Sequence, residues 1–326
     1  MRDEFVVVET RDLRLAFWPG CGGRLISAST GGTELLWRNP DYFDADGRLI
    51  RPRDTWQPLD ATMGSWANVG GSKTWPAPQG WSGPGEWPGP PDGVLDSGRW
   101  QCTRSEHSSG DRTVVMTSPA DTRTGLVVER RFDVPATGTS FTQRNRFTNS
   151  GDRPVTWSIW EVCQVDTSNA YDGGIIRVGV DDETPPVTML SVVGTPSSGL
   201  LIGDERHLSV QPVVGKLGFP NGNRLVGLTR PAGTGLEITF DAEPGASYPD
   251  GGSRVELWMQ YPIPEPLAEF GGLHPQAHLV ELEVLGPLTT LLPGHCSELA
   301  LRWHLCGPSD RAPQAAQPLR SDRFGL

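Results

Sequence analysis

The segment 5-FVVVETRDLRLAFWPGCGGRLISASTGGTELLW-37 decides the fold class, because it reads as strand, turn, strand, turn, strand. Glycine pairs at 22–23 and 31–32 mark the reversals between its apolar runs. Further segments in which polar and apolar residues alternate recur between about residues 100 and 165 and again after residue 224. We therefore predict an all-β protein that opens with a β-meander.

Composition supports the same fold class. The 40 glycines and 30 prolines among 326 residues leave room only for short helices. Hydrophobic residues make up 36% of the chain, which is enough for an extended sandwich core. Since β-sandwiches run to about 200–250 residues as one unit, length does not require two domains. We expect one domain over residues 1–306 and a C-terminal extension over 307–326, which is rich in Pro, Gln and Ser.

Charge and motif content exclude several functional classes. A net charge of −11 argues against nucleic acid as a partner and favours neutral or cationic ligands. No apolar run approaches the length of a membrane span, and the start MRDEFVVVET lacks the pattern of a signal peptide. We expect a cytoplasmic protein without membrane association. Its oligomeric state stays open.

Cofactor and metal motifs are not found either. The five cysteines have neither CxxC spacing nor a paired framework, and His107, His207, His295 and His304 show no ligand spacing. The sequence also has neither a GxSxG elbow nor a GxGxxG fingerprint. We therefore predict buried thiols, no metal site and no cofactor.

Residues 38–100 lose strand periodicity and gain Pro, Gly and Trp, as in 66-WANVGGSKTWPAPQGWSGPGEWPGPPDGVLDSGRW-100. A loop this long inside a folded domain is usually functional or disordered, and its tryptophan density disfavours disorder. We expect an ordered loop.

Four segments together carry a resemblance to a known family. They are 20-GCGGRLISASTGGTELLW-37, 70-GGSKTWPAPQGW-81, 247-SYPDGGSRVELWMQY-261 and 278-HLVELEVLGPLTTLLPGHCSELALRWHL-305. In this order they resemble the galactose mutarotase-like superfamily, and more narrowly an uncharacterised bacterial branch of it. The resemblance covers the chain from about Leu13 to Leu305.

That resemblance implies a β-supersandwich whose concave groove binds a sugar, and it implies acid and base residues that flank the ring. In catalytic mutarotases a glutamate on a late strand removes the anomeric proton and a histidine on a central strand protonates the ring oxygen. The matching place for the histidine in 148-TNSGDRPVTWSIWEVCQVD-166 is Trp160. This replacement argues against ordinary mutarotation, although Trp160 is suited to stack on an apolar sugar face.

The resemblance and the alternation of HLVELEVLGP identify the candidate base. Glu281 and Glu283 share one strand face, opposite the apolar residues of the same strand. The alternative is a solvated sheet face, but the resemblance favours the groove, with Glu283 as the base and Glu281 beside it. Because two nearby carboxylates repel, one should have a raised pKa. Lys73, His278 or His274 would supply the acid, although a lone histidine is more often a surface or core residue.

Further residues are candidates for sugar binding. In GGSKTWPAPQGW, Lys73 and Trp75 project to one side of an extended chain and form a cradle with Gln79, unless the tryptophans only plug the sandwich edge. Arg24 offers a fork of donors at the groove edge or, alternatively, a surface ion pair. Gln260 shares a strand face with Glu256 and Trp258, and we place it near the sugar.

These observations predict a carbohydrate-active protein with a small-molecule sugar or sugar derivative as its ligand. The leading hypothesis is an aldose 1-epimerase-like isomerase or related enzyme that transfers protons at or beside the anomeric carbon, by mutarotation, epimerisation or elimination. A non-catalytic carbohydrate-binding protein is the main alternative, favoured by Trp160. A biosynthetic enzyme that uses the groove for a non-sugar ligand is another, because fold does not fix function.

Overall fold

The computed structural model describes residues 5–307, which form 21 β-strands and three short 3-10 turns. The strands are β1 (Val6–Glu9), β2 (Leu13–Trp18), β3 (Arg24–Thr30), β4 (Thr33–Glu34), β5 (Ser72–Ala77), β6 (Gln101–Glu106), β7 (Arg112–Thr117), β8 (Leu126–Val134), β9 (Ser140–Asn149), β10 (Val155–Asp166), β11 (Ile175–Val180), β12 (Val187–Val193), β13 (Leu200–Ile202), β14 (Glu205–Ser209), β15 (Val214–Phe219), β16 (Gly222–Thr229), β17 (Gly235–Phe240), β18 (Val255–Gln260), β19 (Leu279–Leu285), β20 (Thr289–Leu291) and β21 (Cys296–Cys306). The turns span Arg53–Thr55, Met63–Ser65 and Ala268–Phe270. The all-β prediction is confirmed.

The strands form two large antiparallel sheets. The first has the order β1-β2-β3-β5-β10-β19-β18-β15-β12, with β4 paired to β3 and β20 paired to β10. The second has the order β13-β14-β11-β16-β17-β21-β9-β8-β7-β6. Within residues 5–307 no helix is long and apolar enough to cross a lipid bilayer.

The core lies between the two sheets and is rich in aromatic side chains. Phe17 of the first sheet packs against Phe132 of the second, with ring centroids 4.8 Å apart. Phe141 and Trp303, both of the second sheet, stack at 5.5 Å. The inner faces of both sheets are buried almost completely, so the hydrophobic effect holds the sheets together.

Strand β10 separates the core from the opposite face of the first sheet. Glu161 points into the core and contacts Arg130 of β8, while Trp160 and Gln164 lie on the other face. This follows from the two-residue period of a strand. Register then places Glu281 opposite Gln164, so β19 contributes its polar residues to the same outer face. We call this outer face of the first sheet the groove face.

The long tryptophan-rich loop is ordered and packed. Trp87 is fully buried and donates from Nε1 to Asp92 Oδ2 at 3.0 Å, and Trp100 donates from Nε1 to the Val94 carbonyl at 3.0 Å. These bonds satisfy the indole donors that burial would otherwise leave unpaired. The loop therefore packs in one conformation beside the groove face.

The expected division of the chain at residue 306 stays a prediction. Of the expected C-terminal extension, residues 308–326 lie outside the described residues.

Candidate functional site

A cavity of about 590 Å³ opens on the groove face. Strands of the first sheet form its floor, and the tryptophan-rich loop together with the segment 269–273 forms its walls. We call it the Glu281 cavity. Its floor residues are Trp75, Trp160, Gln164, Lys216, Trp258, Gln260 and Glu281, and its wall residues include Thr62, Met63, Trp66, Asn68, Gln79, Trp81, Glu269 and Leu273.

Lys73 and Glu281 form an ion pair at the edge of this cavity. Lys73 is almost fully buried, with Nζ 3.1 Å from Glu281 Oε1 and 4.5 Å from the ring centroid of Trp75. Burial lowers the pKa of Lys73, and the Glu281 carboxylate only partly opposes this. Gln164 Nε2 donates to the same Glu281 oxygen at 2.7 Å. Within residues 5–307 both donors use Oε1, so Oε2 is the oxygen of Glu281 best placed for a ligand.

Glu283 lies deeper than the sequence predicted. It shares the strand face of Glu281 but is fully buried and does not line the cavity. Trp160 Nε1 donates to Glu283 Oε2 at 2.7 Å, and Lys216 Nζ lies 3.0 Å from the same oxygen. Alternation along a strand fixes the face of a residue but not its depth. Here Trp160 and Lys216 cover Glu283, so Glu281 rather than Glu283 borders the groove.

The Lys216 ammonium is shared between two buried carboxylates. Glu256 and Glu283 stand directly opposite each other on β18 and β19, and Lys216 Nζ is 2.6 Å from Glu256 Oε2. Burial raises the pKa of Glu283 to about 8, with Lys216 opposing the shift and Glu256 adding to it. For Lys216, burial acts to lower the pKa, but the two carboxylates outweigh it and raise the pKa above its ordinary value. Near neutral pH Lys216 therefore keeps its proton, and the raised pKa of Glu283 favours a proton on that carboxyl group as well.

Aromatic residues line the cavity at two levels. Trp75 and Trp160 are only 3% and 4% exposed and meet edge to face, with ring centroids 5.5 Å apart. Trp81 is 76% exposed at the mouth, and Trp66 and Trp258 are half-buried. The indole surface available for stacking is therefore provided by Trp81, Trp66 and Trp258 more than by Trp160.

Three side chains that line the cavity carry a buried polar atom without a hydrogen-bond partner among residues 5–307. They are the donor Trp75 Nε1 and the acceptors Gln164 Oε1 and Asn68 Oδ1. A buried unpaired polar atom costs about 1–3 kcal/mol, and such atoms in native proteins call for an explanation. A ligand with hydroxyl groups would supply both the acceptor and the donors.

Among the other predicted site residues, Gln79 and Gln260 line the Glu281 cavity, whereas Arg24 does not. Arg24 is fully buried, with Nη2 2.5 Å from Asp96 Oδ1 and Nη1 donating to the Gly70 carbonyl at 3.1 Å. Trp66 Nε1 donates to the other Asp96 oxygen at 3.0 Å. Arg24 thus ties the loop to the sheet, and its predicted position at the groove edge is corrected.

His278 and His274 line a second cavity of about 470 Å³, which we call the His278 cavity. His278 Nδ1 is 3.0 Å from the Tyr171 hydroxyl, and His274 Nε2 is 3.0 Å from the Ile263 carbonyl oxygen. Neither histidine lines the Glu281 cavity, so of the three candidate acids the structure places only Lys73 beside Glu281.

The sequence predicted no part in ligand binding for Lys216, Trp81 or Asn68. Lys216 had a detectable signal, since it is a lone lysine in the apolar strand VVGKLGF. Asn68 had none, because its place in the wall depends on the loop conformation. No group of three or more His, Cys, Asp or Glu side chains suited to a metal ion occurs within residues 5–307.

The fold is that of galactose mutarotase-like proteins, as comparison with solved structures shows. A candidate mutarotase, YeaD, from Salmonella typhimurium has a TM-score of 0.60 at 13% identity and covers 94% of this chain and 92% of its own. A galactose mutarotase-like protein from Clostridium acetobutylicum has a TM-score of 0.56 at 7% identity over 92% and 94%. A galactose mutarotase related enzyme from Lactobacillus acidophilus has a TM-score of 0.54 at 10% identity over 95% and 100%.

Within this fold class, the chain belongs to the family described as "Domain of unknown function (DUF4380)", whose model matches residues 85–306. No protein of curated function matches its sequence. Identities this low define the fold alone, so the function has to be argued from the site.

Proposed function

We propose that this protein binds an uncharged carbohydrate in the Glu281 cavity. The observation that carries the proposal is the set of unpaired polar atoms on Trp75, Gln164 and Asn68, next to exposed indole surface in one cavity. Sugar hydroxyls both donate and accept hydrogen bonds, and the CH faces of a sugar ring pack on aromatic rings. The volume of about 590 Å³ lies within the usual range for small-molecule sites.

The charge distribution favours an uncharged ligand over a phosphorylated or carboxylated one. Lys73 is paired with Glu281, and Lys216 is paired with both Glu256 and Glu283. Glu269 adds a further carboxylate to the wall. An anionic sugar would need an unpaired cation to offset its desolvation, and the cavity lining supplies none among the described residues.

Trp81→Ala should weaken sugar binding by roughly fivefold, because it removes an aromatic surface worth about 1 kcal/mol at the cavity mouth. Since Trp81 is largely exposed, stability should change by less than about 0.5 kcal/mol. A glycan array would identify ligands, and isothermal titration calorimetry would compare the two proteins. Leu200→Ala, another exposed apolar residue but outside the cavity lining, serves as the control. Equal affinities for wild type and Trp81→Ala, or no binding on the array, would contradict the proposal.

A second candidate function, proton transfer at or near the anomeric carbon, is favoured by the Lys73–Glu281 pair. Glu281 reaches the cavity and can accept a proton, and the buried ammonium of Lys73, with its lowered pKa, is a better donor than an exposed lysine. The chemistry would be mutarotation, epimerisation or elimination. Because the two groups contact each other instead of facing across the groove, this candidate ranks behind binding alone.

If the protein is an enzyme, Glu281→Gln should lower its turnover on the bound sugar by about 100-fold, since the amide keeps the shape and loses the proton acceptor. Exchange between anomers or epimers would be followed by nuclear magnetic resonance. Glu269→Gln is the matched control, because Glu269 lines the same cavity without a lysine partner among the ion pairs of residues 5–307. Full turnover in Glu281→Gln would exclude Glu281 as the base. Sugar binding without any turnover in the wild type would leave recognition as the function.

A further inference from the structure

We infer that the ligand is an uncharged oligosaccharide of at least two sugar units, which occupies the Glu281 cavity and the His278 cavity together. The inference rests on the proposed carbohydrate binding. It adds a second subsite, and with it the size class of the ligand.

The two cavities adjoin through a thin common wall. Five residues line both of them, namely Met63, Trp66, Asn68, Gln260 and Leu273. A wall formed by side chains that face both spaces is one side chain thick. The cavities are therefore neighbouring parts of one groove along the first sheet.

Their sizes match more than a single sugar. The volumes of about 590 Å³ and 470 Å³ each fall within the range that holds a drug-sized ligand. One monosaccharide is smaller than such a ligand, so it would leave most of the groove filled with water. A ligand that extends across the common wall buries more surface on both sides.

The common wall carries unmet hydrogen-bonding capacity at the place where such a ligand would cross. The side-chain oxygen of Asn68, Oδ1, is buried and has no hydrogen-bond partner among residues 5–307. The backbone carbonyl of Asn68 accepts a hydrogen bond of 2.8 Å from Asn39 Nδ2. Gln260 belongs to the same wall, and its Oε1 accepts from Trp258 Nε1 at 3.0 Å, which fixes the orientation of its amide. Polar groups held in place in the wall suit a chain of hydroxyl groups.

The lining of the His278 cavity has the same chemistry as that of the Glu281 cavity. It combines the aromatic residues Trp37 and Tyr42 with the polar groups of Ser168, Gln276 and His278, and it includes no Lys or Arg among the described residues. His278 contacts Tyr171 through Nδ1, so its Nε2 is the nitrogen best placed for a ligand. Such a lining fits an uncharged sugar unit and disfavours a phosphate or carboxylate.

The test compares ligand length with cavity-specific variants. Calorimetric titrations would use three series of increasing length: glucose, cellobiose and cellotriose; galactose, galactobiose and galactotriose; and mannose, mannobiose and mannotriose. We expect at least one series in which the disaccharide or trisaccharide binds at least tenfold more tightly than the monosaccharide. His278→Ala should remove that gain and leave monosaccharide affinity unchanged, whereas Trp81→Ala should weaken all members by the same factor.

Gln276→Ala provides a second variant in the His278 cavity at an exposed position, in case His278→Ala unfolds. Monosaccharide binding without a gain from length would overturn the second subsite and leave the proposed function standing. Equal weakening of all lengths by His278→Ala and Gln276→Ala would also overturn it. If no saccharide of any length binds, the proposed function itself fails and the inference fails with it.

Discussion

Glu161→Ala should lower the free energy of unfolding by about 3–5 kcal/mol, the usual cost of removing one partner from a buried ion pair. Glu161 and Arg130 are both fully buried between the sheets, and Arg130 Nη2 donates to Glu161 Oε1 at 2.8 Å. The other carboxylate oxygen accepts bonds from Thr74, Gln143 and Asn145 at 2.6–3.0 Å. The variant would leave the Arg130 charge and several polar groups unpaired in the core.

Urea denaturation would measure this loss, with Glu298→Ala as the control. Glu298 pairs with Arg146 on the outer face of the second sheet, where both side chains are nearly half exposed. Exposed pairs contribute about 0–1 kcal/mol, so the control should change little. The double variant Arg130→Met with Glu161→Leu should recover much of the loss, because it removes both charges. Comparable small effects for Glu161→Ala and Glu298→Ala would show that the buried pair does not stabilise the fold.

The second large effect is a pH dependence of stability that comes from Glu283. Its pKa is about 8 in the folded protein against an ordinary value of 4.5, so between these pH values the folded state holds a proton that the unfolded state releases. The contribution of Glu283 to stability is therefore full below pH 4.5 and is lost as the pH rises to about 8. The loss is on the order of 5 kcal/mol at most.

Glu283→Gln should remove this loss, because its amide stays neutral at every pH. Relative to wild type, the variant should become progressively more stable between pH 4.5 and 8 and should change no further above that window. Denaturant titrations of both proteins from pH 4.5 to pH 9 would measure the difference. A difference that does not vary with pH would contradict the raised pKa of Glu283.

The sequence was sufficient to predict the all-β class because its local signals agree with one another, whereas the supersandwich was implied by the family resemblance. The glycine pairs at 22–23 and 31–32 lie at the turns that join β2, β3 and β4. The alternation in HLVELEVLGP matches the two faces of β19, whose apolar residues Val280, Leu282 and Val284 belong to the core. The local preference of each strand therefore agrees with the tertiary packing that it adopts.

The candidate site was predictable only in part, because it depends on depth and on loop conformation. Alternation identified the face of Glu281 and Glu283 but gave no sign that Lys216 and Trp160 cover the second carboxylate. The local sequence around Arg24 does not distinguish a position at the groove edge from a position beneath a loop. The buried position of Arg24 depends on its contact with Asp96, which is distant in sequence. The contact between Lys73 and Glu281 joins residues far apart in sequence, which no local pattern encodes.

The floor of the Glu281 cavity consists of β-strands and its walls consist of loops. This arrangement has an evolutionary consequence. Residues such as Thr62 and Trp81 contact the cavity from loops, and their replacement leaves the buried Arg130–Glu161 network intact. Loops tolerate substitution and insertion far better than core strands do. Exchange of wall residues can therefore change the shape and chemistry of the cavity, while the same sheet continues to present Lys73 and Glu281.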